Sequence, residues 1–293
     1  GGTFTDLVLV DDASGAATLN KLPTTPDDPS QGVIEGALEV CDMAGGAPRD
    51  VGQLFDGTTI ATNIALEHDG ARTGLITTEG YRDILHIARH KRPYNFSIQQ
   101  DLPWQSHPLV RRRHRLPVRE RVIAPDGDIQ TPLDEDAVRA AVAKLKAANV
   151  EAVAICFLFS FLNPAHEKRA AAIVREEWPA VFLSVSHEVI PQYREYERFS
   201  TTCLNAYVGP RTSSYVRNLD AAMAEKDFGA ELHLMQANGG AATTQGASER
   251  PVTLLMSGPV AGLIGGIRAG KLAGFDNAIT LDVGGTSADI GVA

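Results

Sequence analysis

Six residues of this chain occur twice in nearly the same form. Gly1-Gly2-Thr3-Phe4-Thr5-Asp6 opens it, and Gly284-Gly285-Thr286-Ser287-Ala288-Asp289 stands near its close. Both read GGTxxD and both run into apolar residues, Leu7-Val8-Leu9-Val10 and Ile290-Gly291-Val292-Ala293. The second copy also shows its approach, Ala278-Ile279-Thr280-Leu281-Asp282-Val283. That pattern predicts a strand delivering a carboxylate to a glycine turn, followed by a returning strand. One such turn is an ordinary hairpin; two copies flanking a whole domain are a constraint on the fold.

The chemistry of this turn suits a phosphate. Paired glycines let the backbone approach an anion without an intervening Cβ, and successive turn amides form a concave donor set. Thr3, Thr5, Thr286 and Ser287 add hydroxyl donors. Asp282, at the end of its strand, is placed to hold Mg²⁺ through water, and is the expected catalytic carboxylate. Asp6 and Asp289 have two readings: contact with Mg²⁺, or a structural bond within the hairpin.

Between the two turns the rhythm is α/β. Thr18 to Leu22 is expected to pair back on Leu7–Val10, and Ser30 reads as the N-cap of a helix through Val33, Ile34, Leu38 and Val40. Arg72–Thr77 predicts a buried strand, followed by an amphipathic helix over Tyr81–Ala88. Residues 89–121 hold nine of the 27 basic residues among prolines and aromatics, and read as an irregular insertion or a pair of hairpins. Its run Arg111-Arg112-Arg113-His114-Arg115 reads either as a contact for a bound anion or partner subunit or, more simply, as a solvated basic face. From Asp134, an N-cap, the order is helix (Val138, Val142 and Leu145 on one face), strand (Val150–Phe157), helix after Asn163-Pro164, and strand (Val181–Val185), a βαβ unit. A long helical region over 193–226, a strand at Leu232–Gln236 and a tight Asn238-Gly239-Gly240 turn follow.

Composition narrows the class. The chain has 293 residues, a net charge of −9, 44% hydrophobic and 22% charged residues. That excludes disorder and argues against a general binder of nucleic acid or anionic membrane. Val150–Leu162, the most apolar stretch, is too short to span a bilayer. Three scattered cysteines, Cys41, Cys156 and Cys203, fit a reducing cytoplasm and offer neither a disulfide framework nor a zinc motif. The i, i+4 pair His86 and His90 lacks a third ligand, Cys203 reads as a packed apolar residue, and Arg194, Glu195 and Glu197 as helix-face ion pairs.

The paired turns resemble those of the actin-like ATPase superfamily, in which two related domains each offer a phosphate hairpin. Ser257-Gly258-Pro259-Val260-Ala261-Gly262 through Ile267 occupies the place of the connecting helix, its small residues allowing close packing. More narrowly, GGTFTD, Gly57-Thr58-Thr59-Ile60-Ala61-Thr62-Asn63, the run Gly70–Asp83, Arg194–Arg198, Leu204–Pro210, Gln236–Gly240, Ser257-Gly258-Pro259 and Asp282–Ser287 are similar, in order, to the hydantoinase A/oxoprolinase family.

The resemblance implies an α/β, actin-like (ribonuclease H-like) fold with one complete N-terminal domain, 1–256, a connecting helix, 257–276, and the first hairpin of a second domain, 277–293. It implies ATP and Mg²⁺ as cofactors, with Gly1, Gly2, Thr3, Thr5, Asp6, Gly284, Gly285, Thr286 and Ser287 binding the nucleotide. The implied reaction is ATP-dependent opening of a small cyclic amide such as a hydantoin or 5-oxoproline, through phosphorylation of the amide oxygen. Carboxylation of a ketone such as acetone or acetophenone is the alternative; a sugar kinase or a non-enzymatic ATP-gated switch fits less well. Family members usually begin with a strand and an Asp before GGTFTD, so the chain is expected to be part of a longer, oligomeric subunit, inactive alone and partnered by a hydantoinase B-type subunit or domain. Thr58, Thr59 and Asn63 either line the cleft or form a polar helix start; Asn238 and Gly239 are cleft residues by resemblance, or a self-sufficient turn.

Overall fold

The computed structural model describes residues 3–25, 28–91, 94–98, 100, 102–283 and 288–292. Gly1, Gly2, Gly284, Gly285, Thr286 and Ser287 lie outside them. The chain forms two compact units, one comprising residues up to Leu66 and from Arg211 onward, the other Glu67–Pro210.

The first unit opens with an antiparallel hairpin, β1 (Phe4–Val10) and β2 (Ala17–Pro23), in the expected pairing. The Asp11 carboxylate closes its turn, accepting from Ser14 N and Ser14 Oγ at 2.6 Å each. Alternate residues, Leu7 among them, turn toward helix α1 (Pro29–Ala44), where Gly36 leaves no room for a Cβ beside Leu7 and Leu22. Ser30 is not the cap of α1. Pro29 takes the first helical position and moves the cap to Asp28, whose carboxylate accepts from Ser30 N at 3.1 Å and Ser30 Oγ at 2.6 Å. Strand β3 (Gln53–Asp56) and helix α2 (Ile60–Leu66) complete this segment.

The second unit is a three-layer α/β/α sandwich. Strand β4 (Thr73–Thr78) is followed by only a short helix, α3 (Ile84–Ile87), where a longer one was expected. The basic segment is less irregular than its composition implied. It holds α4 (Pro103–Ser106), strand β5 (Arg115–Val118) and strand β6 (Arg121–Ile123), which pairs with β7 (Asp128–Thr131). β5 is hidden from sequence reading by Arg115, which is buried, and by Pro117, which an edge strand tolerates. Helix α5 (Glu135–Ala147) is capped by Asp134, as expected, its carboxylate accepting from Ala137 N at 2.9 Å. Strand β8 (Ala152–Cys156), helix α6 (Ala165–Glu177) and strand β9 (Phe182–Val185) form the expected βαβ unit. The sheet order is β5-β4-β8-β9, all parallel. α5 and α6 cover one face through Val138, Leu145, Ile173 and Val174. The other face packs Leu75, Ala154 and Cys156 against Phe199, Cys203 and Ala206, so Cys203 is a core residue, as its setting implied.

The carboxyl ends of these parallel strands are closed by buried side chains. Glu167, from α6, accepts from Phe157 N at 2.8 Å beyond β8, and from Ser186 Oγ at 2.6 Å and His187 N at 2.9 Å beyond β9. Its second oxygen also lies 2.9 Å from His187 Nδ1. Thr78, ending β4, accepts from Leu158 N at 3.0 Å and donates to Glu120, whose other oxygen meets His166 Nδ1 at 2.8 Å.

Helix α7 (Ser186–Val189) leads to the long helix α8 (Glu195–Glu225), which carries the chain back into the first unit. There β10 (Glu231–Met235) pairs parallel with β3 and antiparallel with β11 (Ala241–Thr243). Helices α9 (Thr244–Glu249) and α10 (Ser257–Leu272) precede a final antiparallel hairpin, β12 (Ile279–Val283) and β13 (Ala288–Val292).

Glu167→Ala strips an acceptor from several buried donors at once. It should lower unfolding free energy by about 3 kcal/mol or more in denaturant titration. A loss below about 1 kcal/mol would show that water replaces the carboxylate without penalty.

Candidate functional site

In open α/β sheets, loops leaving the carboxyl ends of parallel strands form the natural ligand crevice. In the first unit those loops follow β3 and β10. After Asp56 the chain passes through Gly57, Thr58 and Thr59 into α2. Thr58 Oγ1 accepts from Ile60 N at 3.2 Å, and Asn63 donates from its backbone to Thr59 O at 2.8 Å and from Nδ2 to Thr59 Oγ1 at 3.3 Å. These bonds serve the start of α2. After β10, Gln236–Gly240 forms the expected turn: Gly239 has φ +82°, Asn238 Oδ1 accepts from Gly240 N at 2.9 Å, and Gln236 N donates to Gly240 O at 2.8 Å.

The start of α10 joins both loops. Ser257 Oγ donates to Thr58 O at 3.0 Å, Met256 N donates to Thr62 Oγ1 at 2.9 Å, and a Cβ on Gly258 would lie 3.3 Å from Thr59 Cγ2. A Cβ on Gly239 would lie 2.9 Å from Ile264 of α10. Met256 is held at φ 61°, a left-handed conformation costing a non-glycine residue about 1–2 kcal/mol. Thr58, Thr59, Asn63, Asn238 and Gly239 therefore share one neighbourhood.

Beneath it lies a feature the sequence did not flag. Tyr215 of α8 donates its hydroxyl to Asp56 Oδ2 at 2.8 Å. Burial pushes the Asp56 carboxyl above the usual carboxylate range, the Tyr215 hydrogen bond opposing it. Burial also drives the Tyr215 hydroxyl well above its ordinary value. An apolar-flanked Asp before GTT was the available signal.

The described parts of the two hairpins differ. In the first, Thr5 Oγ1 lies 3.2 Å from Thr24 Oγ1, Thr3 O accepts from Thr24 N at 3.0 Å, and Asp6 forms an exposed 2.9 Å ion pair with Lys21. In the second, the register sets Asp282 directly opposite Asp289 and Thr280 opposite Gly291. That face meets α10: Gly266 has no space for a Cβ beside Thr280, and one on Gly291 would come within 2.5 Å of Leu263. The small residues of α10 thus serve close packing. The other face carries Ile279, Leu281, Val283, Ile290 and Val292, all exposed.

Other sequence candidates sit elsewhere. Glu197 pairs with Arg89 at 2.6 Å in the second unit. Its neighbour Arg198, not singled out by sequence, is buried and donates to Gln192 O at 2.9 Å and Phe157 O at 3.1 Å. Among the described residues no group of three His, Cys, Asp or Glu side chains is arranged for a metal ion, and no helix is long and apolar enough to cross a membrane.

The Asp56 environment sets a pH dependence. Its folded-state pKa is raised, so its share of stability is full below the unfolded value of about 3.9 and is lost as pH rises through the folded value. Asp56→Asn keeps an acceptor for Tyr215 and should be at least as stable as wild type at pH about 7.5, with a flatter pH–stability curve above pH about 4. An Asn variant that loses stability at neutral pH would contradict the assignment.

The chain's relatives fit this geometry. Residues 1–178 match the hydantoinase/oxoprolinase N-terminal region, and residues 198–293 match hydantoinase/oxoprolinase. The caprolactamase subunit alpha of Pseudomonas jessenii is 39% identical over 99% of this chain and 42% of its own length. The acetophenone carboxylase gamma subunit of Aromatoleum aromaticum is 34% identical over 99% of this chain and 41% of its own. The crystal structure of the ATP-dependent caprolactamase superposes with a TM-score of 0.84, covering 100% of this chain and 42% of that one. The nucleotide-free structure of acetone carboxylase superposes at 0.88 with 27% identity, over 99% of this chain and 42% of that one. The chain thus spans about two-fifths of the length of these relatives. Its mixed α/β architecture with a parallel sheet is that of their N-terminal regions and is consistent with the actin-like ATPase fold. The chain belongs to the hydantoinase/oxoprolinase family.

Proposed function

We propose that this chain is the phosphate-binding, N-terminal part of an ATP-dependent enzyme that opens a small cyclic amide. The observation that carries the reading is the register of the second hairpin, which sets Asp282 opposite Asp289. Like charges directly opposite one another in a sheet are destabilising. A cation at this mouth relieves that cost, so the residues fit a Mg²⁺-nucleotide. Asp282 would hold the ion through bound water, the usual bridge in Mg²⁺ sites, and Gly1, Gly2, Thr3, Thr5, Asp6, Gly284, Gly285, Thr286 and Ser287 would hold the phosphates.

Bound ATP would supply a phosphoryl group to the amide oxygen, which would leave the ring carbonyl carbon open to attack by water before the C–N bond breaks. The protein's own part is positional. Turn amides and hydroxyls would donate to phosphate oxygens, α10 packs on the second hairpin through Leu263 and Gly266, and Thr58, Thr59, Asn63, Asn238 and Gly239 lie in the neighbouring loops. Domain limits follow the same reading, with 1–256 as the first domain, 257–276 as the connecting helix and 277–293 as the first hairpin of a second. The bare apolar face of β12–β13 supports that limit, since a further layer would cover it.

Caprolactamase, at 39% identity against 34% for the acetophenone carboxylase subunit, favours amide over ketone chemistry. Ketone carboxylation is the second reading, favoured by the acetone carboxylase superposition at 0.88. The subunit names of these relatives support a partner, of the hydantoinase B type, and an oligomeric assembly. Three buried free thiols fit the cytoplasm.

In the complete enzyme, Asp282→Asn should reduce ATP-dependent ring opening at least a hundredfold while the circular dichroism spectrum stays unchanged (about 3 kcal/mol of transition-state stabilisation). Wild-type turnover at saturating Mg-ATP would remove Asp282 from the mechanism. ATP-dependent consumption of a ketone and bicarbonate, with no lactam opened, would favour the second reading.

A further inference from the structure

Asp56 ends β3, and the parallel register sets it opposite Leu234 near the carboxyl end of β10. Its side chain shares a face with Leu54, Leu232 and Leu234, where Tyr215 of α8 donates to Oδ2 at 2.8 Å. The other oxygen, Oδ1, accepts from none of the described residues. It keeps contact with solvent, in a residue that is only half-buried. One oxygen is thus fixed by the protein, and the other is left for a ligand at a strand end where α/β sheets place their crevices.

The two oxygens are chemically distinct for that reason. Oδ2 accepts from Tyr215, so a proton on the carboxyl belongs on Oδ1, where it can be given to an acceptor. Burial favours the uncharged acid, while the Tyr215 bond and the positive chain terminus oppose it. The Asp28 carboxylate bears on Tyr215, helping to keep the phenol protonated. An ionised carboxylate would repel a phosphate oxygen. A carboxylic acid donates to it, through a charge-assisted bond about twice as strong as a neutral one.

We propose that Asp56 is a phosphate-binding residue, its Oδ1–H donating to a phosphate oxygen of the nucleotide while Tyr215 holds Oδ2. The proposal rests on the reading of this unit as a nucleotide site and adds to it a proton that Asp56 takes up with the ligand and returns to solvent on release. Linkage fixes the sign. A phosphate that binds the acid form stabilises it further, so affinity weakens as pH climbs through the interval between the free and the bound values. Asn at this position keeps both contacts, Oδ1 accepting from Tyr215 and Nδ2 donating to phosphate, and has nothing to titrate.

The test is calorimetric titration of Mg-ATP into the complete enzyme between pH about 6 and about 9, wild type against Asp56→Asn. Wild-type affinity should fall about tenfold or more across that range while the variant changes less than about twofold, so that at pH about 9 the Asn protein binds more tightly. A residue that only supports the loops would weaken binding at every pH when altered. Should Asp56→Asn fail to fold, wild-type titrations in two buffers of different ionisation enthalpy should show proton uptake on binding. Parallel pH profiles for the two proteins, an Asn variant weaker than wild type throughout, or absence of proton uptake would each overturn the inference and leave nucleotide binding standing. A wild type that binds no Mg-ATP at any of these pH values would overturn the nucleotide reading and this inference with it.

Discussion

Every parallel strand that ends inside a protein passes into a loop whose buried backbone N–H groups have no ladder partner and must find other acceptors. The two units of this chain meet that constraint differently. In the second, side chains plug the edge: Glu167 takes the amides beyond β8 and β9, and Thr78, tied to Glu120 and His166, takes the one beyond β8 at Leu158. In the first, the ends of β3 and β10 open into glycine- and hydroxyl-bearing loops whose bonds are mostly to one another. A sealed edge serves stability. An edge built of turns and hydroxyls is suited to a ligand, and the glycine hairpins belong to the same unit.

The energetics of the first unit point the same way. Met256 stands in a left-handed conformation, Asp56 is pushed toward its protonated form, and Asp282 faces Asp289. Each is unfavourable alone and each lies in the β3–β10–α10 loops or in the hairpin packed on α10. Unfavourable terms concentrate where function overrides stability. By contrast, the buried carboxylate of Glu167 is fully answered by its own neighbours.

Much of this was legible in the sequence because it rests on local pattern. Asp134, the Val138–Leu145 stripe and Asn163-Pro164 announce their helices, and the GGTxxD repeat announces hairpins whose described strands form as expected. What escaped was set by distant partners. Ser30 looked like a cap until Pro29 shifted the frame to Asp28. Arg115 and Pro117 disguised an edge strand within a basic segment, and Arg198 looked like one more charged residue on a helix. The Asp56–Tyr215 bond joins residues 159 apart, a pairing no local window contains. Gly284–Ser287, on which the sequence reading leaned most, lie outside the described residues.

The central claim is that the two glycine hairpins act as one site on one nucleotide. Calorimetric titration of Mg-ATP into the complete enzyme, comparing wild type with Gly2→Val, Gly285→Val and the double variant, tests it most directly. Each single change should weaken binding about tenfold or more, and the double variant should be little weaker than either, because donors closing on the same phosphates act as a unit. Wild-type affinity in both single variants would contradict the claim, as would losses that simply add.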